Sequence, residues 1–287
     1  MASFKRSNVV IIHPDLGIGG AERLIIDVAL ALQHRGHQVT IYTSHRDKSH
    51  CFEEARDGTL DVRVRGNSIF PPLVFGRFHL LMASLRQLHL TLSVLAEMGR
   101  TGKNDKVAEE YPNDVFIVDQ LPACAPILKT FGPRYAHARN GKQRILFYCH
   151  FPDQLLARKN EGGVLMRVLK GVYRYPFDWF EGWAMGASDK VVANSNFTRG
   201  VVSGVFGSER LGEVKIVYPC VDTSDAPTVK VKKGSEKTEE EKVTIGKDLW
   251  GGKKIILSIN RFERKKGIDL AIRAYQGLGK EARKGTR

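Results

Sequence analysis

Apolar positions along this chain fall into two alternating rhythms. Short β-branched runs (Val9 to Ile12, Gln38 to Tyr42, Leu60 to Val64, Val115 to Val118, Arg144 to Tyr148, Lys190 to Ala193 and Val214 to Val217) have strand character and turn residues or caps nearby. Longer stretches with helical spacing separate several of them. The clearest runs from Ala21 to Arg35, where Leu24, Ile25, Val28, Ala31 and Leu32 share a face and Gly36 supplies the stop. This order predicts an α/β fold: a doubly wound, mostly parallel sheet over residues 1–221, covered by helices on both faces. The pattern lapses after Val221. Residues 222–250 are polar and charge-rich and read as a solvated linker. A second sheet is expected to begin at Lys254, where an apolar run to Ile259 ends in a basic cluster and Gly267 opens a helical pattern from Ile268 to Tyr275. Residues 251–287 thus read as one strand and one helix of a second domain, too little to bury a core alone.

One segment fits two readings. In a helix expected over about 73–98, Phe78, Leu81, Leu85, Leu88, Leu92 and Leu95 share a face, and the apolar loop Phe70 to Phe75 precedes them. The longest uncharged stretch, Gln87 to Ala96, is far short of the ~20 residues needed to span a bilayer. The helix either lies in a membrane interface with its apolar face down or packs on the core, since both demand the same amphipathic pattern.

Composition narrows the partners. The 287 residues are 42% apolar, which excludes wholesale disorder, and the formal net charge of +14 favours an anionic partner. Cys51, Cys124, Cys149 and Cys220 lie far apart, without zinc-ligand spacing, and read as reduced, mostly buried thiols. No apolar leader precedes the Val9 strand, so no secretory signal is expected and the Asn196-Phe-Thr198 sequon reads as a helix start.

Candidate chemistry gathers where strands end. The loop from His13 to Arg23 follows the first strand, and Gly19 and Gly20 leave backbone N–H groups bare at a helix N-terminus, for a phosphate or a sugar hydroxyl. A dinucleotide fingerprint fits poorly, because Glu22 occupies the third glycine position and no acidic residue ends the second strand. His150 ends another strand and is followed by Pro152 and Asp153. Asn194 and Ser195 end a third, as cleft-lining residues or a helix cap. Arg261 and Lys266 precede Gly267, the first able to grip a phosphate bidentately and the second adding a point charge.

Together the stretches Gly19 to Arg23, Tyr148 to Asp153, Ala193 to Thr198, Tyr218 to Asp222 and Ser258 to Lys266 resemble the retaining GT-B glycosyltransferases of family 4. Within that family they are most similar to the eukaryotic, fungal-type α-1,3/α-1,6-mannosyltransferases of dolichol-linked oligosaccharide assembly. The resemblance runs almost end to end. It implies GDP-mannose as donor, mannosylated chitobiosyl diphosphate dolichol as acceptor, no obligatory metal or other cofactor, and a place on the cytosolic face of the endoplasmic reticulum membrane. It also implies that Gly19 and Gly20 approach the donor diphosphate or reacting sugar, that His150 contacts the transferred mannose, and that Arg261 and Lys266 neutralise charge on departing GDP. A Glu-x7-Glu motif belongs to the family's second domain, and nothing after Lys266 supplies it, so this chain is expected to turn over little donor. The alternatives are a non-catalytic membrane-surface module that scaffolds other mannosyltransferases of the pathway, and a nucleic-acid binder. The last rests on charge alone, with no motif interleaving aromatics and cations, and is not expected.

Overall fold

The structure, a computed structural model, describes residues 6–71, 73–74, 78–101, 110–132, 143–156, 163–220, 256–260 and 264–284. The chain divides into two compact units, Met1–Val221 and Asp222–Arg287. The charged segment expected as a linker, 222–250, lies outside the described residues.

In the first unit, β1 (Ser7–Asp15), β2 (Gln38–His45), β3 (Asp61–Val64), β4 (Asn113–Asp119), β5 (Gln143–Cys149), β6 (Lys190–Ala193) and β7 (Lys215–Ile216) form one sheet in the order β3-β2-β1-β4-β5-β6-β7. Every pairing is parallel. Helices α1 (Gly20–His34), α2 (His79–Thr101), α3 (Ala125–Phe131), α4 (Asp153–Leu156), α5 (Val164–Gly186), α6 (Asn196–Phe206) and α7 (Ser208–Leu211) connect or flank the strands. The period of two along each strand divides the core. Val9 and Ile11 face Ile25, Ile26 and Ala29 of α1, whereas Val10 and Ile12 join Leu90 and Val94 of α2, Leu128 of α3 and Met185 of α5. Strand order reverses between β1 and β4, and the crevice at that switch lies beyond the strands' C-terminal ends.

Helix α2 is a core helix, and its buried face is not the leucine stripe expected from the sequence. Leu80, Gln87, Leu90, Thr91, Val94 and Met98 are buried; of the expected stripe only Leu95 is buried, whereas Leu81, Leu85 and Leu88 are half-buried and Leu92 is exposed. Two polar residues disguise the inner face, and each has a hydrogen-bond donor group satisfied by a main-chain carbonyl. Gln87 Nε2 donates to the Leu121 carbonyl at 2.6 Å, and Thr91 Oγ1 donates to the Gln87 carbonyl at 2.7 Å. Glu97 accepts from Arg63 at 2.6 Å and Arg65 at 2.9 Å, tying the far end of α2 to β3.

Helix α5 shows the inverse of normal amphipathicity. Val164, Val168, Val172, Tyr175, Trp179 and Trp183 form a stripe between 48% and 74% exposed. On the inner side Arg174 bridges Asp153 and Asp178 at 2.8 and 2.9 Å and Glu181 is buried, whereas Arg167 is exposed. Trp179 and Trp183 stack with centroids 6.2 Å apart, and Pro176 lies inside the helix. An apolar stripe of this length is a contact surface rather than scattered exposure. No helix among the described residues is long and apolar enough to cross a membrane.

In the second unit, α8 (Ile268–Gly277) follows a turn over Arg264–Lys266, and α9 (Lys280–Lys284) follows α8. The helix expected after Gly267 is present; of the run expected as a strand from Lys254 to Ile259, the described residues show none. Residues 256–260 carry no regular structure, and Ile256, Leu257 and Ile259 are exposed. A β-run needs neighbours for its backbone N–H and C=O groups, and the described residues of this unit offer none.

Candidate functional site

Four strand ends of the first unit contribute side chains to one edge of the sheet. His13 is close to the end of β1, Asp119 ends β4, His150 follows β5 and Asn194 follows β6. Asp119 and the His13 ring are fully buried, and the carboxylate bridges two imidazoles: Oδ2 lies 2.8 Å from His13 Nδ1 and Oδ1 lies 2.8 Å from His150 Nε2. Burial on its own would push the Asp119 carboxyl up. The hydrogen bonds from His13 and His150 outweigh it and hold the group below the ordinary carboxylate range. Backbone geometry prepares this position. Gln120, next in the chain, has φ 65°, a left-handed conformation that costs a non-glycine residue on the order of 1 to 2 kcal/mol. With the 2.8 Å bond from Leu121 N–H to the Asp119 carbonyl, it turns the chain away immediately after the carboxylate.

His150 is held by its main chain as well. Its carbonyl accepts from Asn194 Nδ2 at 3.1 Å and Thr198 Oγ1 at 3.4 Å, and its ring sits 5.0 Å from that of Tyr148. Asn194 thus supports His150 from β6. Ser195 caps α6: its backbone is extended and its hydroxyl accepts the Thr198 N–H at 3.2 Å. Burial pushes Cys124 and Cys149 up to about 12, leaving both as protonated core thiols, while Cys220 is exposed.

Asp153 does more than line the edge. Its carboxylate is paired with Arg174 at 2.8 Å, and its N–H, with that of Gln154, donates to the Glu181 carboxylate at 2.6 and 3.1 Å. Glu181 therefore pins the loop after His150 to α5. Burial pushes its carboxyl up to about 7, against the lowering effect of the two backbone donors. Because the folded value lies above the unfolded one, this group's contribution is full below the unfolded value and declines as pH rises through the folded one. The loss between about pH 4.5 and 7 is on the order of 3 kcal/mol. Glu181→Gln should flatten this slope, measured by urea unfolding at pH 5 and pH 7.5; an unchanged difference between the two pH values would refute the assignment.

Gly19 and Gly20 start α1. Gly19 is the N-cap with extended backbone, and no side chain caps the helix. A Cβ on Gly19 would run into the Glu22 carboxylate, while one on Gly20 would meet nothing within 4 Å. The fold has no steric use for glycine at position 20, which carries a helix penalty of up to about 1 kcal/mol at a helix start that no N-cap side chain covers. Beside this loop a cleft of about 500 Å³ is lined by Asp15, His45, Asn67, Ile69, Phe70 and Arg86, with Arg86 paired to Asp15 at 3.0 Å.

Of the cations expected to hold donor phosphate, Lys266 is exposed in the turn before α8, and Arg261 lies outside the described residues. The structure thus brings Gly19, Gly20, His150, Asp153, Asn194 and Ser195 to one sheet edge. Sequence reasoning missed Asp119, Glu181 and the part played by His13. A signal existed: His13 and Asp119 each directly follow a four-residue apolar strand run, the position from which a polar side chain reaches the crevice.

The sequence profile described as Glycosyltransferase Family 4 matches residues 18–93 and 125–225, which include the glycine loop, His150 and the Asn194 strand end. The chain belongs to glycosyltransferase family 4. It is 46% identical over 282 residues to the alpha-1,3/1,6-mannosyltransferase alg-2 of Neurospora crassa, covering 97% of this chain and 54% of the relative. To the alpha-1,3/1,6-mannosyltransferase ALG2 of Kluyveromyces lactis it is 47% identical over 279 residues, 96% of this chain and 48% of the relative. The chain spans about half the length of these curated relatives. Among solved structures it is similar to Phytolacca americana UGT2 complexed with UDP-2fluoro-glucose and pterostilbene, at 12% identity and TM-score 0.46, covering 76% of this chain and 56% of that one.

Proposed function

We propose that this family 4 chain supplies the acceptor-side half of a retaining, GDP-mannose-dependent mannosyltransferase of the GT-B type. The enzyme adds an α-1,3 and then an α-1,6 mannose to a dolichol-diphosphate-linked Man-GlcNAc2 acceptor on the cytosolic face of the endoplasmic reticulum. The identity of 46% to the Neurospora crassa mannosyltransferase over nearly the whole chain carries this reading. In it, the bare N–H groups at Gly19 and Gly20 face the donor diphosphate or the reacting sugar, and His150 bonds the transferred mannose. Asn194 and Ser195 keep the His150 loop and its neighbouring helix in place. Arg261 and Lys266 neutralise the departing GDP, each charge-assisted contact contributing roughly 1.5 to 3 kcal/mol. No metal is required for these roles, and no nucleic acid takes part. The exposed stripe of α5 meets the membrane surface that holds the acceptor.

The exposed apolar stripe of α5 favours a second reading, a membrane-surface binding module that docks other mannosyltransferases of the pathway. Transfer from radiolabelled GDP-mannose to vesicle-borne acceptor separates the two. The chain alone should turn over negligibly. A chimera in which it replaces the matching half of the Neurospora crassa enzyme should transfer mannose and lose at least about 100-fold on His150→Ala. Vesicle binding with no transfer even by the chimera would support the module, and robust transfer by the chain alone would overturn the division of labour.

A further inference from the structure

The proton count around Asp119 is over-determined by its neighbours. His13 Nε2 lies 3.1 Å from the carbonyl oxygen of Asp15, which only accepts, so that nitrogen carries a hydrogen. His13 Nδ1 faces one oxygen of Asp119, and His150 Nε2 faces the other, both at 2.8 Å. A fully buried carboxylate with a ring nitrogen on each oxygen is satisfied as an anion when both nitrogens donate. That puts protons on both nitrogens of His13, and the buried His13 and Asp119 then form a neutral pair. With this negative charge already balanced, His150 needs only its Nε2 hydrogen, and its Nδ1 keeps a lone pair. No described residue bonds His150 Nδ1, and the side chain is 25% exposed. The other charged groups near the cluster are accounted for. Arg86 pairs with the Asp15 carboxylate, the Tyr148 hydroxyl donates to the Val217 carbonyl at 2.7 Å, and the Glu181 carboxylate takes the backbone donors of Asp153 and Gln154.

We propose that Asp119 is a positioning residue which, balanced by a doubly protonated His13, locks His150 in its Nε2–H tautomer and presents Nδ1 as a hydrogen-bond acceptor for a ligand hydroxyl. That the hydroxyl belongs to a sugar rests on the function proposed above; the tautomer does not. The arrangement makes His150 an acceptor toward its ligand rather than a cation. It favours polyols, which bring a donor in every hydroxyl, over the fully ionised phosphates of a diester or diphosphate linkage, which bring only acceptors.

Long-range ¹H–¹⁵N correlation of the histidine rings of the full chain at pH 7.5, with no sugar present, tests this directly. His13 should show two protonated ring nitrogens, and His150 a protonated Nε2 with an unprotonated Nδ1. In Asp119→Asn, His150 should become a tautomer mixture while backbone amide shifts of strands away from the site stay in place, a change that a purely structural role would not produce. An unprotonated nitrogen on His13, or a proton on Nδ1 of His150 in the unsubstituted chain, would overturn the proposal. The unsubstituted spectrum decides it even if the variant does not fold, and since no sugar is present, failure of mannose transfer leaves the result intact.

Discussion

Replacing Trp179 and Trp183 by serine should cost the chain most of its affinity for phospholipid vesicles while leaving its fold unchanged. Both indoles are about half exposed, at 57% and 48%, so their removal opens no core cavity. They stand in line with Val164, Val168, Val172 and Tyr175 on the outer face of α5, and Arg174 of the same helix is turned inward into pairs with Asp153 and Asp178. Indole is the side chain best suited to the headgroup boundary. Losing two of them should remove about 3 kcal/mol of apolar burial, on the order of a 100-fold weaker partition. Flotation with anionic and neutral vesicles measures it, and Leu92→Ser, which takes one exposed leucine from α2, is the control that should lose far less. Undiminished flotation of the double variant would remove α5 from the membrane. Concentration-dependent self-association abolished by the same substitutions would give the stripe to a second copy of the chain instead.

Gly66→Ala should be among the most damaging single-methyl substitutions in the first unit. Gly66 has φ 69°, and a Cβ there would stand 2.5 Å from both the nitrogen and the Cα of the fully buried Leu90. The opposing atoms are backbone, so no rotamer change relieves the clash and α2 must move as a body. Left-handed strain and overpacking together predict a loss of about 3 to 5 kcal/mol, read as a lower urea midpoint. A loss below about 1 kcal/mol would mean that α2 yields easily. The consequence reaches the site, because α2 carries Arg86, paired with Asp15, and Gln87, bonded to the Leu121 carbonyl two residues beyond Asp119.

Short β-branched runs were a reliable guide to the sheet because its inner strands are buried on both faces: the seven apolar runs match β1 to β7 within a few residues. Helix faces were harder to read. On α2, Gln87 and Thr91 break the apolar pattern of the face that is buried, and only their bonds in the fold explain why they can be there. On α5 a stripe of apolar residues points outward although Ala184 and Met185 of the same helix are buried, so any reading that assumes apolar means inside goes astray. The glycine loop, His150 and Asn194 could be found from their places at strand ends. The same strand-end rule pointed to Asp119, but not to its role, which depends on two histidines 106 and 31 residues away brought to the two oxygens of one carboxylate. The run before Asn260 shows the opposite failure, where local strand propensity is genuine but the pairing that would express it is missing among the described residues.

Pro176 limits how deep α5 can sit in a bilayer. Having no N–H, it leaves the Val172 carbonyl without its usual donor one turn on, in the middle of the outward stripe. In hydrocarbon that oxygen would go unsatisfied at a cost of several kcal/mol, whereas at the level of the glycerol backbone and headgroups water reaches it. On the membrane role proposed above, the helix would float at the boundary rather than sink. The sheet edge carrying His13, Asp119 and His150 is joined to that helix through the Asp153–Arg174 pair and Glu181. A boundary-bound α5 would fix the height of this edge above the lipid, setting how far a membrane-borne headgroup must rise to reach Nδ1 of His150.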